Sequence, residues 1–357
     1  MRAMVLRGHD LAIEEVPVPE PGPGQVLARV LACGICGTDL HTARFPEDMV
    51  RIAKASPRTA WYSTSLTGAG VIMGHEFVAE VVRSGPGAED WAPGTRVTGV
   101  PVIPDPASPS GMHSIGFTPG LPGGYSEYVV MAAPFLLRVP DNVPDDVAAT
   151  TEPSAVGLHA VRQARIAPGE SALVLGGGPV GLMTLLWLKH EGISYVAVSE
   201  FTAERRALAR RLGADDVFDP REVDLAAAIS EALARRQDAP PGALRAPDVV
   251  FECVGVPGTI QQAMELVRHH GRIVVVGVCM QPDRFEPLLG INKQLSLQFV
   301  LGYTAQEYAE ALAAHADGSV DTRPLITRKV GLDELPATFR ALADPKDCKV
   351  LVIPSGV

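Results

Sequence analysis

Leu173-Val174-Leu175-Gly176-Gly177-Gly178-Pro179-Val180-Gly181-Leu182-Met183 is an apolar run that halts on three glycines and resumes on a proline. Ser171 to Leu175 predicts a strand and Gly181 to Lys189 a helix, so Gly176 to Gly181 is a GxGxxG turn joining them. There Gly176 permits the tight turn, Gly178 lets backbone approach a pyrophosphate, and Gly181 lets helix and strand touch. The helix amino terminus supplies unpaired N–H groups for phosphate oxygens. Glu200 follows the next strand, Tyr195 to Val198, where a carboxylate accepts bonds from ribose hydroxyls and repels a 2′-phosphate. NAD is therefore favoured over NADP, while Arg205 and Arg206 keep a guanidinium within reach of a phosphate.

Downstream the alternation continues. A charged helix is predicted over Ala203 to Leu212 and stops at Gly213; strands are predicted over Val249 to Cys253 and Arg272 to Val276, with a helix over Thr259 to Arg268 between them. This is the pattern of a doubly wound parallel sheet, an α/β nucleotide-binding unit. Upstream, Met1 to about Ala149 reads differently, with short apolar runs such as Val26 to Leu31, Phe77 to Val82, Arg96 to Val100 and Tyr125 to Val130 broken by Gly and Pro. Pro17, Pro19, Pro21 and Pro23 rule out a continuous helix or central strand there. Near the end, Ala305 to Ala316 and Asp333 to Leu342 suit helices, and Lys329 to Val330 and Lys349 to Ile353 suit strands of either unit.

With 357 residues, 46% hydrophobic and 20% charged, the chain has the length of two domains and ordinary globular composition. A net charge of -10 gives no footprint for nucleic acid or an anionic membrane. Arg205, Arg206, Arg210 and Arg211 read as one solvated helix face. Met1 to Asp10 lacks the basic and apolar regions of a signal peptide, and no apolar stretch is long enough to span a bilayer. Five cysteines are too few for a disulfide scaffold; Cys253, Cys279 and Cys348 lie in or beside apolar runs and are expected in cores. A cytoplasmic, reducing setting is expected, with Cys36 available as thiolate.

Cys33-Gly34-Ile35-Cys36-Gly37-Thr38-Asp39-Leu40-His41 gathers two thiols, a hydroxyl, a carboxylate and an imidazole, and Gly74-His75-Glu76 adds another imidazole and carboxylate. Zinc takes such S, N and O donors, and a catalytic zinc keeps one position open. The spacing matches no simple zinc finger, and packed cysteines with a hydrogen-bonded surface histidine would also account for it.

Taken in order, these segments, together with EPSAVGLHAV at Glu152 to Val161, FECVG at Phe251 to Gly255 and GRIVVVG at Gly271 to Gly277, cover nearly the whole chain. They resemble the medium-chain dehydrogenase/reductase family, particularly its zinc-dependent branch of sorbitol, threonine, butanediol and other secondary-alcohol dehydrogenases. The resemblance implies a strand-rich GroES-like catalytic domain over 1–155 and 296–357, and a Rossmann dinucleotide-binding domain over 156–295. It implies Cys36 and His75 as zinc ligands, with Glu76 and Glu152 competing for the carboxylate place, Asp39 orienting a ligating histidine, and Cys33 reduced to packing. Thr38 matches the hydroxyl that contacts the alcohol oxygen and His41 the outer member of a proton relay; a local helix cap and a solvated side chain are their alternative roles. Val254 and Gly277 join Gly176, Gly178, Pro179, Val180, Gly181, Glu200 and Arg205 in the implied cofactor site.

Two departures qualify the match. Relatives often hold a second, structural zinc with four cysteines, whereas Val97 to Tyr128 contains none, so one zinc per subunit is expected. Arg44 to Gly70 is long, and its Phe45, Trp61 and Tyr62 would either cover an active-site mouth or pack a surface excursion. The expected function is NAD-linked, zinc-dependent oxidation of a secondary alcohol, diol or polyol to a ketone, on a homodimer or homotetramer with no nucleic-acid or membrane partner. A zinc-independent enone or quinone reductase and a dinucleotide sensor without turnover are the alternatives.

Overall fold

A computed structural model of the chain describes residues 1–56, 70–236, 245–342, 344 and 346–356. Six parallel strands form the nucleotide-binding sheet in the order Asp216–Phe218, Tyr195–Ser199, Ser171–Leu175, Val249–Glu252, Arg272–Val275, Ser296–Phe299. The central strands are continuous apolar runs because both faces are covered. Successive side chains of Ser171–Leu175 serve opposite cores: Ala172 and Val174 pack with Leu182, Met183 and Trp187, whereas Leu173 and Leu175 pack with Ile229, Val250 and Met264. Strand order reverses between Ser171–Leu175 and Val249–Glu252, which opens a crevice at their carboxyl ends where the glycine turn lies.

The sheet extends past the boundary expected at residue 295. Ser296–Phe299 pairs along the whole of Arg272–Val275, and Tyr308, Ala311 and Ala314 of the helix Ala305–Asp317 share a core with Trp187. The catalytic unit regains the chain only afterwards. Its seven-stranded sheet runs Ile326–Gly331, Lys349–Ile353, Gln25–Gly34, Glu76–Ser84, Arg96–Gly99, Leu136–Arg138, with Tyr128–Ala132 also paired to Gln25–Gly34. The last strand of the chain thus lies beside Cys33 and Gly34, through the pairs Val352 with Cys33 and Leu351 with Gly34.

Within the long span after His41, Pro46–Ala55 is a helix that turns Met49, Val50 and Ala53 inward, and Phe45 packs against the catalytic core instead of covering a mouth. Trp61 and Tyr62 lie outside the described residues. Pro101 to Pro122 contains a hairpin, Val102–Pro104 with Met112–Ser114, clasped by His113 Nε2 and Asp105 Oδ2 at 2.7 Å. No described helix is long and apolar enough to cross a membrane.

Candidate active site

Cys36 ends the turn after Gln25–Gly34 and is the N-cap of the helix Gly37–Arg44. Its Sγ accepts from the Thr38 amide at 3.5 Å, and Asp39 Oδ2 accepts from the Cys36 amide at 3.0 Å, so the helix start is capped reciprocally with sulfur in the place of a hydroxyl. The sulfur therefore sits where unpaired helical N–H groups point. Asp39 is fully buried; Tyr125 donates its hydroxyl to Oδ2 at 2.6 Å, and Oδ1 lies 3.3 Å from His75 Nδ1. Burial opposes ionisation of Asp39, but His75, Tyr125 and the Cys36 amide together hold its carboxyl below the usual range. The carboxylate thereby fixes one imidazole nitrogen and leaves the other for a ligand.

His75 enters from the turn before Glu76–Ser84, with the Phe117 ring 5.1 Å away. Burial favours its neutral form, yet Asp39 and Cys36 outweigh burial and hold its pKa well above the ordinary value. A positive charge is wanted at this point, a demand that a metal cation also meets. Donor atoms of Cys36, His75 and Glu76 all lie within 4.8 Å of one another, an S, N, O set suited to zinc. Glu76 is also the partner of a residue that the sequence reading took only for the start of a strand. Lys349 Nζ donates to Glu76 Oε1 and Oε2 at 2.7 and 2.6 Å and to the Ile35 carbonyl at 3.1 Å. Gly34 leaves room for this pair, since a Cβ there would stand 1.9 Å from Glu76 Oε2.

Glu152, near the start of the helix Thr151–Ala164, is buried and lines the same cavity as Cys36, Thr38, His75 and Glu76, but it is not among the three mutually close donors. Burial pushes its carboxyl up to about 7; Glu76 adds to this, while His75 and the Tyr303 hydroxyl oppose it. His41 does not line that cavity. It lines another, beside His9 and Arg44, where burial and Arg44 lower its pKa. Cys33 is buried in the catalytic core. Cys279 departs from expectation: it is half-buried on a cavity wall, with Met49 and Met280, rather than in a core.

The glycine turn is drawn tight. A Cβ on Gly181 would come 1.9 Å from the Gly176 carbonyl, so helix and turn touch as the spacing requires. Gly178 caps the helix Pro179–His190, and Val180 at its start lines the cavity that holds the metal donors. Glu200 Oε2 accepts from the Gly177 amide at 2.8 Å and Oε1 from Thr202 at 2.7 Å, which fixes the carboxylate at the turn. Arg205 donates to the Asp347 carbonyl at 2.6 Å, beside Gly178, and Arg206 pairs with Asp219 at 2.8 Å. On the facing turn, Glu252 Oε1 accepts from the Val254 and Gly255 amides, and Gly277 packs against Gly255. Val276 and Val278 complete that wall of the cavity.

The chain is similar to known proteins over nearly its whole length. Residues 22–141 match the family model of the alcohol dehydrogenase GroES-like domain, and residues 179–317 that of the zinc-binding dehydrogenase domain. The chain is 32% identical to (R,R)-butanediol dehydrogenase of Bacillus subtilis over 97% of both chains. It is 28% identical to human sorbitol dehydrogenase, covering 98% of this chain and 95% of that one. Among solved structures, 2R,3R-butanediol dehydrogenase from Bacillus subtilis superposes with a TM-score of 0.83 at 32% identity over 99% of both chains. A protein of Sinorhizobium meliloti 1021 solved bound to NADP superposes with a TM-score of 0.84 at 30% identity, again over 99% of both.

Replacing Lys349 by Met strands the Glu76 carboxylate in a buried place and is expected to destabilise the fold by about 3–5 kcal/mol. Adding Glu76→Gln should recover much of that loss. Denaturant midpoints of the single and double variants, with zinc content per subunit, check both statements; a double variant no more stable than Lys349→Met would overturn them.

Proposed function

Because the chain belongs to the zinc-type medium-chain alcohol and polyol dehydrogenase family, we propose that it oxidises a secondary alcohol, diol or polyol to a ketone, reversibly, using one zinc ion and NAD. One observation carries this reading: Cys36, Thr38, His75 and Glu76 share a single cavity with Val180 of the glycine turn and Val276 and Val278 of the facing wall. Metal donors and cofactor wall meet where a carbinol carbon would have to lie.

Cys36, His75 and Glu76 are the proposed zinc ligands, Glu152 standing by in the cavity wall. The ion supplies a Lewis acid that polarises the alcohol or carbonyl oxygen. The turn from Gly176 to Gly181, Val254 and Gly277 hold NAD, which supplies the hydride acceptor. Thr38, on the cavity wall, receives the alcohol proton at its hydroxyl oxygen and passes its own outward. His41 stands three residues on along the same helix, on nearly the same face, lines a second cavity and is held toward its neutral form by burial and Arg44, ready to accept a proton there. Asp39 keeps His75 in one orientation.

NAD preference rests on Glu200, whose carboxylate is fixed beside Gly177 where a 2′-phosphate would meet it, and on Arg205 and Arg206, which are already engaged. A homodimer or homotetramer is supported by the free edge of the six-stranded sheet. There Leu288, Ile291 and Phe299 are 64, 70 and 60% exposed, a run of apolar surface that a second copy would cover.

Cys36→Ser should abolish zinc retention and lower turnover at least about a hundredfold while NADH binding, read by fluorescence titration, persists. Full activity without stoichiometric zinc would sink the metal mechanism. Glu200→Ala should reduce the ratio of kcat/KM with NAD to that with NADP by about tenfold or more, and an unchanged ratio would remove its assigned role. Light scattering should return a dimer or tetramer for the native chain and a smaller species for Ile291→Asp; a monomeric native chain rejects the assembly.

A further inference from the structure

Beyond its chemical end, the cavity at Cys36 and Thr38 is walled by apolar groups. Of about 110 Å3, it is lined, besides the candidate metal donors, by Pro101, Ile115, Phe117, Pro153, Val156 and Leu301, with Ser114 the one hydroxyl residue among them. Among the described residues, no lysine or arginine lines it. Val278 and Leu301 are shared with a second cavity of about 420 Å3, into which the apolar wall continues through Met49, Ile52 and Met280. Of the polar groups in that second space, Glu252 accepts from two backbone amides, Thr259 donates to the Val256 carbonyl, and Asp283 Oδ1 accepts from the Gly258 amide.

We infer that the substrate is a secondary alcohol, or its ketone, whose remaining carbons form an apolar chain or ring of several methylenes, and that Ile115, Phe117, Val156 and Leu301 select it. The inference rests on the dehydrogenase reading above. A hexitol brings five hydroxyls besides the reacting one, and, apart from Thr38 and the proposed zinc ligands, the described lining offers them the side chains of Ser114 and Glu152 alone. Each hydroxyl buried without a partner costs about tenfold or more in affinity. An amino alcohol with a carboxylate and an ammonium beside the carbinol is worse served, because no cationic side chain faces the carboxylate. A vicinal diol is intermediate, with one further hydroxyl for Glu152 to meet. An alkyl substituent, by contrast, meets close-packed carbon, and each added methylene is selected by about tenfold or more until the wall ends.

The test uses the zinc-replete, full-length protein with NAD and compares carbon-matched alcohols: 2-propanol to 2-hexanol, cyclohexanol, 2,3-butanediol, threonine and sorbitol. Expected is kcat/KM rising about tenfold or more from 2-propanol to 2-hexanol, and at least about a hundredfold higher for 2-hexanol than for sorbitol. Leu301→Asn and Val156→Thr should each lower the 2-hexanol to 2-propanol ratio about tenfold. Binding of 2-hexanone to the NADH-loaded protein, followed calorimetrically, should carry a negative heat-capacity change and exceed that of fructose. Sorbitol or threonine matching the alkanol of equal carbon number, or ratios indifferent to both variants, would overturn the inference while leaving the dehydrogenase intact. If no alcohol is oxidised, the dehydrogenase reading falls, and the calorimetric comparison alone decides whether the wall selects apolar carbonyls; fructose binding as tightly as 2-hexanone then rejects that too.

Discussion

One ammonium group, that of Lys349, governs how the chemical end of the molecule is put together. It is 1% exposed and touches both oxygens of Glu76 and the carbonyl of Ile35, so three distant parts of the chain converge on it. A buried ion pair is weak evidence of net stability, since desolvating both charges offsets their attraction. Its value here is positional. A one-residue slip of Lys349–Ile353 against Gln25–Gly34 would turn Lys349 to the opposite face of the sheet and leave Glu76 alone. The pair therefore pins the register of the last strand, and with it the carboxylate nearest His75 and Cys36.

The second constraint is that the cavity belongs to neither sheet alone. Its donors come from the seven-stranded sheet and the helix capped by Cys36; its opposite wall comes from the turns at the carboxyl ends of the parallel strands. The helix Thr151–Ala164 joins the two halves: it places Glu152 in the cavity near its start and packs Leu158 and Val161 into the core of the nucleotide-binding unit farther along. Trp187 Nε1, donating to Ser154 Oγ at 3.1 Å, locks that helix to the one that begins at the glycine turn. Substrate and cofactor walls are thus held to one another by packed helices rather than by loops.

What could be read from residues alone follows from how each element is buried. Ser171–Leu175, Tyr195–Ser199 and Val249–Glu252 are covered on both faces, so their uninterrupted apolar runs announce them. Ser296–Phe299 is an edge strand with two charged or polar residues and mostly exposed side chains, and Asp216–Phe218 has three half-buried residues; neither carries a periodic signal. The helix Pro46–Ala55 hides in a span whose length suggested a loop, although Met49, Val50 and Ala53 do mark one face. At the site, the spacing around Cys36 and the GHE segment picks out Cys36, His75 and Glu76, whose donor atoms lie within 4.8 Å of one another, but that Glu152 lines the same cavity without joining them has no signature in the local sequence. Lys349 heads an apolar strand, where a lysine ordinarily marks the solvated end; only the buried carboxylate opposite explains it. Tyr125 and Tyr303, which meet Asp39 and Glu152, belong to contacts made across the fold and have no local signature.

The order of strands in the catalytic sheet also has a bearing on how the protein is made. A ribosome releases Cys36, His75 and Glu76 first, the whole parallel sheet next, and Lys349 only after that sheet. Until that final strand inserts beside Gln25–Gly34, the nascent lobe holds an open sheet edge, an uncompensated acidic side chain and an accessible thiol. Most of the nucleotide-binding unit's core is contiguous in sequence and can pack first, with Leu325 and Cys348 joining it afterwards. The pocket of Cys36, His75 and Glu76 is therefore completed by a strand made 273 residues after Glu76, so its donors wait, on a lobe still unfinished, while the whole nucleotide-binding sheet is synthesised between them and their buried partner.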